Sequence, residues 1–201
     1  MDTSSNHSTI SPAAGKTAGN RWDTHQMVVM ALMCAIGTLL SFIQFPLIPG
    51  ITWLKYDAAC VPAMVCGFAF GPTPGIVVGV LSAIIQGLIM GDAVGALMNI
   101  IVVIALILPS AWIYRTHHTF KGALVGLLIA IIVMIVVEVG ANLIIDPFYF
   151  GMPIEAVAAL IIPVLIPFNL AKACINALLT FAIYKSISNL ITPRKKQVKG
   201  I

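Results

Sequence analysis

Lys172 lies inside a long apolar run, with Asn169 three residues before it and Asn176 four residues after. On an ideal helix of about 100° per residue these three side chains fall within a sector of roughly 60°. One face of an apolar helix therefore carries an ammonium and two amides. Placing a lysine at mid-bilayer costs roughly 2.5 to 3.5 kcal/mol on insertion scales, and such a group by default marks a site facing the bundle interior. An earlier apolar run offers Glu138 and Asn142 at i, i+4, again on one face.

Two kinds of chemistry fit this set. A Glu138–Lys172 ion pair would explain both charges without any ligand, since charges in membranes find each other. It would leave the amides of Asn142, Asn169 and Asn176 unexplained, and amides carry both donors and acceptors suited to the edge of a heterocycle. Trp53, Tyr56, Phe148, Tyr149 and Phe150 could close apolar walls around such a ligand, the usual make-up of a small-molecule site. An ion-coupled secondary transporter working through Glu138 and Lys172 is the competing reading. A membrane-embedded enzyme is disfavoured, because the chain shows no paired carboxylates, nucleophile–base pair or metal-ligand spacing. Cys34, Cys60, Cys66 and Cys174 fall in or beside apolar runs without a C-x-x-C pair, so no metal site and no cofactor is expected. Gly15-Lys16-Thr17 imitates the end of a phosphate loop, but position 10 is Ile10 rather than the required glycine. ATP hydrolysis is not expected of this chain.

The elements that must position these residues are membrane helices. Hydrophobic residues make up 60% of the 201 and charged residues only 9%, with mean hydropathy +1.04, whereas soluble domains carry about 25% charged residues. The fold class expected is all-α, an integral membrane bundle of six transmembrane helices. Apolar runs place the spans at residues 27–45, 58–70, 75–90, 93–114, 122–145 and 168–190. The second is short for a bilayer, which takes about 17 to 25 residues. The stretch 154–166, bounded by Pro153 and Pro167 with Pro163 inside, reads as re-entrant or interfacial. Starting the last span after Pro167 puts Lys172 in its first two turns, where the helix dipole disfavours a cation.

Six spans put both termini on one side. Lys16, Arg21, Arg115, Lys121, Lys185, Arg194, Lys195, Lys196 and Lys199 then share that side, with only Lys55 opposite, so both termini are expected to be cytoplasmic. Three parts follow: a disordered cytoplasmic tail at residues 1–25, a six-helix membrane domain at 26–191, and a basic cytoplasmic tail at 192–201. Tails rich in Ser, Thr and Gly without an apolar core of their own do not read as a cleavable signal.

Small residues recur every fourth position at Gly75, Gly79, Ala83, Gly87, Gly91 and Gly95, at Gly122, Gly126 and Ala130, and at Ala31 and Ala35. This spacing lets helix backbones approach closely in lipid. Packing within the bundle explains all three stripes, or one of them, best Ala31 and Ala35, docks a partner membrane protein.

Trp53-Leu54-Lys55-Tyr56-Asp57, then Pro62-Ala63 and Gly67-Phe68-Ala69-Phe70-Gly71-Pro72, resembles the L-K-Y-D…P-A…G-F-x-F-G-P signature of the substrate-binding S components of energy-coupling factor (ECF) transporters. Pro167-Phe168-Asn169-Leu170-Ala171-Lys172 is similar to their P-F-N-x-x-K segment, and Ala31-x-x-x-Ala35 to their A-x-x-x-A docking motif. The riboflavin-specific members are the best match among these patterns, over residues 27–190. The resemblance implies a high-affinity riboflavin-binding subunit of an ATP-driven vitamin importer in a prokaryotic plasma membrane. Its partners would be a transmembrane coupling (T) subunit and two ABC ATPase subunits. It further implies that Asn142, Asn169 and Lys172 bond the flavin ring system, that the loop at Tyr56 and Asp57 covers the ligand, and that Ala31 and Ala35 meet the coupling subunit. Asn176 joins the substrate-binding set by its place on the Lys172 face. Glu138 has no counterpart in that pattern, and an S component for a different vitamin is the alternative within the family.

Overall fold

The computed structural model describes residues 22–191, with side chains as far as 186. The expected tails, apart from residues 22–25, lie outside the described residues. Helices dominate: α1 (Thr24–Ser41), α2 (Cys60–Phe70), α3 (Pro72–Met90), α4 (Ala93–Thr116), α5 (Phe120–Phe150), α6 (Ile154–Leu160) and α7 (Ile166–Ile191). Two short strands, β1 (Phe45–Pro46) and β2 (Lys55–Tyr56), pair antiparallel with Phe45 opposite Tyr56 and fold the α1–α2 connection back on itself.

Five helical stretches are long and apolar enough to cross a membrane: Thr24–Ser41, Pro72–Met90, Ala93–Thr116, Phe120–Phe150 and Ile154–Ser186. The second expected span differs from these. As α2 it has 11 residues, roughly 16 Å at 1.5 Å per residue, against a hydrocarbon core of about 30 Å. Every residue from Cys60 to Phe68 is buried, and α2 packs against α1, α3, α4 and α7. Surrounded by protein, it has no need to match the bilayer thickness.

The stretch 154–166 is not a separate re-entrant piece. It runs into the last helix through a π-helical turn at Ile161–Leu165, so helical backbone continues from Ile154 to Ile191. Pro163 and Pro167 lack the N–H that an α-helix needs and crowd the carbonyl one turn back. A wider turn absorbs that conflict without ending the helix. Lys172 consequently sits well inside a continuous helix, and the dipole penalty expected for a first-turn cation does not apply. The fifth helix likewise passes its expected end at Ile145 and carries Pro147 internally, stopping at Gly151 with φ 64°.

Gly75, Gly79, Ala83 and Gly87 are buried, as are Gly122, Gly126 and Ala130, whereas Gly91 is exposed and Gly95 half-buried. A Cβ at Gly75 would stand 2.7 Å from the Gly67 Cα, and one at Gly79 would stand 2.5 Å from Val103 Cγ1. The buried members of both stripes therefore serve internal helix packing. Ala31 and Ala35 are exposed on α1, beside exposed Val28, Leu32, Ile36 and Leu39.

Candidate ligand-binding site

α3, α4, α5 and α7, with the residue 42–59 connection above them, enclose a cavity of about 300 Å³, at the lower edge of the range for small-molecule sites. α5 lines it with Glu138, Asn142, Asp146, Tyr149 and Phe150, which follow one another at helical spacing along one face. α7 contributes Phe168 and Lys172, α4 contributes Met98 and Asn99, and α3 contributes Gln86. Trp53 and Lys55 come from the connection. The Trp53 ring lies 6.0 Å from Phe150, and Phe150 lies 4.8 Å from Tyr149. This aromatic cluster forms one wall.

Lys172 is buried, and its Nζ donates to Asn99 Oδ1 at 3.3 Å. Asn99 Nδ2 in turn donates to Gln86 Oε1 at 3.2 Å. Three helices are thereby tied by one polar chain starting at the ammonium. Behind it a void of about 20 Å³ is bordered by Asp57, Gln86, Asn99 and Lys172 among others, room for about one water molecule.

Of the two readings of the charges, the Glu138–Lys172 ion pair does not form: no such pair joins them among the described residues, and Glu138 Oε1 is buried without a hydrogen-bond partner. The asparagine four residues on, Asn142, donates from Nδ2 to the Glu138 backbone carbonyl at 2.7 Å, which leaves its oxygen to accept from elsewhere. Asp57 is buried and its Oδ1 accepts from the Ala59 N–H at 2.9 Å, shaping the turn into α2. Asp92 caps α4 through the Gly95 N–H at 2.8 Å.

The remaining expected residues separate from this group. Tyr56 and Asn176 do not line the cavity; the Tyr56 hydroxyl donates to Asn176 Oδ1 at 3.1 Å, and both are buried. Burial, with Asp57 next to it and then Cys60, pushes the Tyr56 phenol up to about 12, so the hydroxyl stays a donor at neutral pH. Asn176 thus has a partner for its oxygen in the bundle, while its Nδ2 has none. Asn169, 1% exposed, adjoins the cavity-lining Phe168 but does not itself line it, and neither of its amide atoms has a hydrogen-bond partner. Such unpaired buried amides are rare and call for an explanation.

Asn99 and Gln86 were missed by sequence reasoning. The available signal was a lone amide in each of two otherwise apolar helices, where polar side chains usually bond between helices.

Residues 25–184 match the family model described as "ECF transporter, substrate-specific component". The chain belongs to this family. Its S-component character agrees with a bundle of apolar helices around a polar, aromatic-walled cavity. Among characterised relatives, the riboflavin transporter RibU of Staphylococcus aureus is 28% identical over 184 residues, covering 88% of this chain and 97% of that protein. The riboflavin transporter FmnP of Bacillus subtilis is 29% identical over 162 residues, covering 75% and 85%. A solved structure described as the S component of a bacterial ECF transporter superposes with a TM-score of 0.73 at 29% identity, covering 83% of this chain and 96% of that one. These are transport components, not enzymes, and this S component is a membrane protein of the same kind.

Proposed function

We propose that this S component captures riboflavin from outside the cell and delivers it inward as the ligand-binding subunit of an ATP-driven ECF importer. The reading makes the protein a resident of a prokaryotic plasma membrane, with both termini cytoplasmic and the cavity opening outward beneath the residue 42–59 connection. A T subunit and two ABC ATPase subunits supply the energy.

The observation that carries it is the cavity itself, with Lys172 at one side, Asn142 at another and an aromatic wall of Trp53, Tyr149 and Phe150. Isoalloxazine is flat and apolar on its faces and rich in acceptors along its pyrimidine edge. An ammonium donor and amides suit that edge, while aromatic rings suit the faces. Asn169 belongs to the same reading: it adjoins the cavity-lining Phe168, and its two amide atoms have no partner within the bundle. On α1, the exposed Ala31 and Ala35 form the docking face for the T subunit, because small residues allow close helix approach in lipid. The similarity to riboflavin transporters from two organisms supports the choice of vitamin.

The test is uptake of labelled riboflavin by cells expressing the chain with and without the ATPase partners. Uptake that needs those partners and survives collapse of the proton gradient supports the reading. Uptake independent of them but abolished by collapsing the gradient favours an ion-coupled carrier instead.

A further inference from the structure

Lys172 and Glu138 are both buried charges that line the cavity, 7% and 4% exposed. They do not meet as an ion pair among the described residues. Lys172 is held by Asn99, and Glu138 Oε1 has no partner. Opposite charges removed from water attract strongly and are costly when left apart. Both residues line the same cavity without pairing, which gives it a donor from Lys172 and an acceptor residue in Glu138. Of the other charges at the cavity, Asp57 and Asp92 already accept backbone N–H groups, while Lys55 and Asp146 line it further along β2 and α5.

We infer that Glu138 sets the charge selectivity of the site: it balances Lys172 through a bound neutral ligand carrying both acceptors and donors, and disfavours the same ligand bearing a phosphate. This rests on the flavin reading above and names which flavin the site takes. An uncharged ligand leaves the Lys172–Glu138 balance intact, accepting from one and donating to the other. A phosphate brings negative charge into a cavity lined by four carboxylates, Asp57, Asp92, Glu138 and Asp146, against two ammonium groups, Lys55 and Lys172. Poorly solvated surroundings make that excess expensive.

The test titrates the purified full-length protein with riboflavin and with riboflavin 5′-phosphate, following flavin fluorescence. Wild type prefers riboflavin by about tenfold or more, equivalent to about 1.4 kcal/mol. Glu138→Gln, which keeps the shape and removes the charge, shrinks that preference by about fivefold or more. Glu138→Asp restores most of it. Lys172→Met moves it the other way, strengthening the preference for the neutral ligand, so the inference stays testable even if Glu138→Gln fails to fold. A role in packing alone would lower both affinities together and leave their ratio fixed; that result, or a wild type that does not distinguish the two flavins, overturns the inference while leaving riboflavin capture standing. A wild type that binds neither flavin overturns both.

Discussion

The Tyr56 hydroxyl donates to Asn176 Oδ1 at 3.1 Å, joining the residue 42–59 connection to α7 across 120 positions of sequence. This bond locks the cover of the cavity onto the helix that carries Lys172. Tyr56→Phe leaves a fully buried amide without its donor and should cost about 1 to 3 kcal/mol of stability, measured by thermal unfolding in detergent. The tyrosine's pKa, ordinarily near 10, is raised to about 12, so its contribution is complete below pH 10 and disappears as the pH rises through 12. The stability difference between wild type and Tyr56→Phe should accordingly be constant to pH 10 and shrink above it. A constant difference up to pH 12 would contradict the burial of the phenol beside Asp57.

Lys172→Ala should weaken riboflavin binding by at least about tenfold, or 1.4 kcal/mol, with the protein still recoverable in folded form. Asn99→Ala removes the side chain that orients the ammonium and should weaken binding in the same direction but less, by about threefold to tenfold. Equal affinities in fluorescence titrations of wild type and Lys172→Ala would take the ammonium out of the site.

Ala35→Trp places bulk on the exposed face of α1, away from the cavity lining. Cells carrying it should lose most riboflavin uptake while the purified protein keeps its flavin affinity within about twofold. Undiminished uptake would exclude this face as the coupling contact.

Gly79→Leu drives a side chain into Val103, which a single Cβ would already approach to 2.5 Å. Overpacking of this kind costs about 1 to 3 kcal/mol. The variant should unfold at lower temperature, whereas Gly91→Ala, with open space around it but a φ of 68°, should be penalised through backbone strain alone.

The long apolar helices were legible because bilayer thickness imposes a length and a composition that few other folds need. Lys172 was legible for a related reason, as an ammonium has no inexpensive place in lipid. Asn99 and Gln86 escaped notice because an amide in an apolar helix costs far less than a charge, and only the folded bundle shows that they bond to each other. The Tyr56–Asn176 bond was not legible, because helical spacing reveals which residues share a face but not which neighbour meets each of them, and Tyr56 comes from a distant loop. Pro163 and Pro167 read as breaks, yet the π-turn at Ile161–Leu165 carries the helix through them. A Glu138–Lys172 pair was one of two readings open to the sequence, since helical spacing shows which residues share a face but not whether charges on two helices meet.

Direct binding of riboflavin to the purified chain tests the central claim most simply. In a fluorescence titration without partner subunits, riboflavin should be quenched to saturation at one molecule per chain, with Lys172→Ala shifting the curve to higher concentration. Riboflavin that remains fully fluorescent in the presence of folded wild-type protein would contradict the claim that this cavity is built for a flavin.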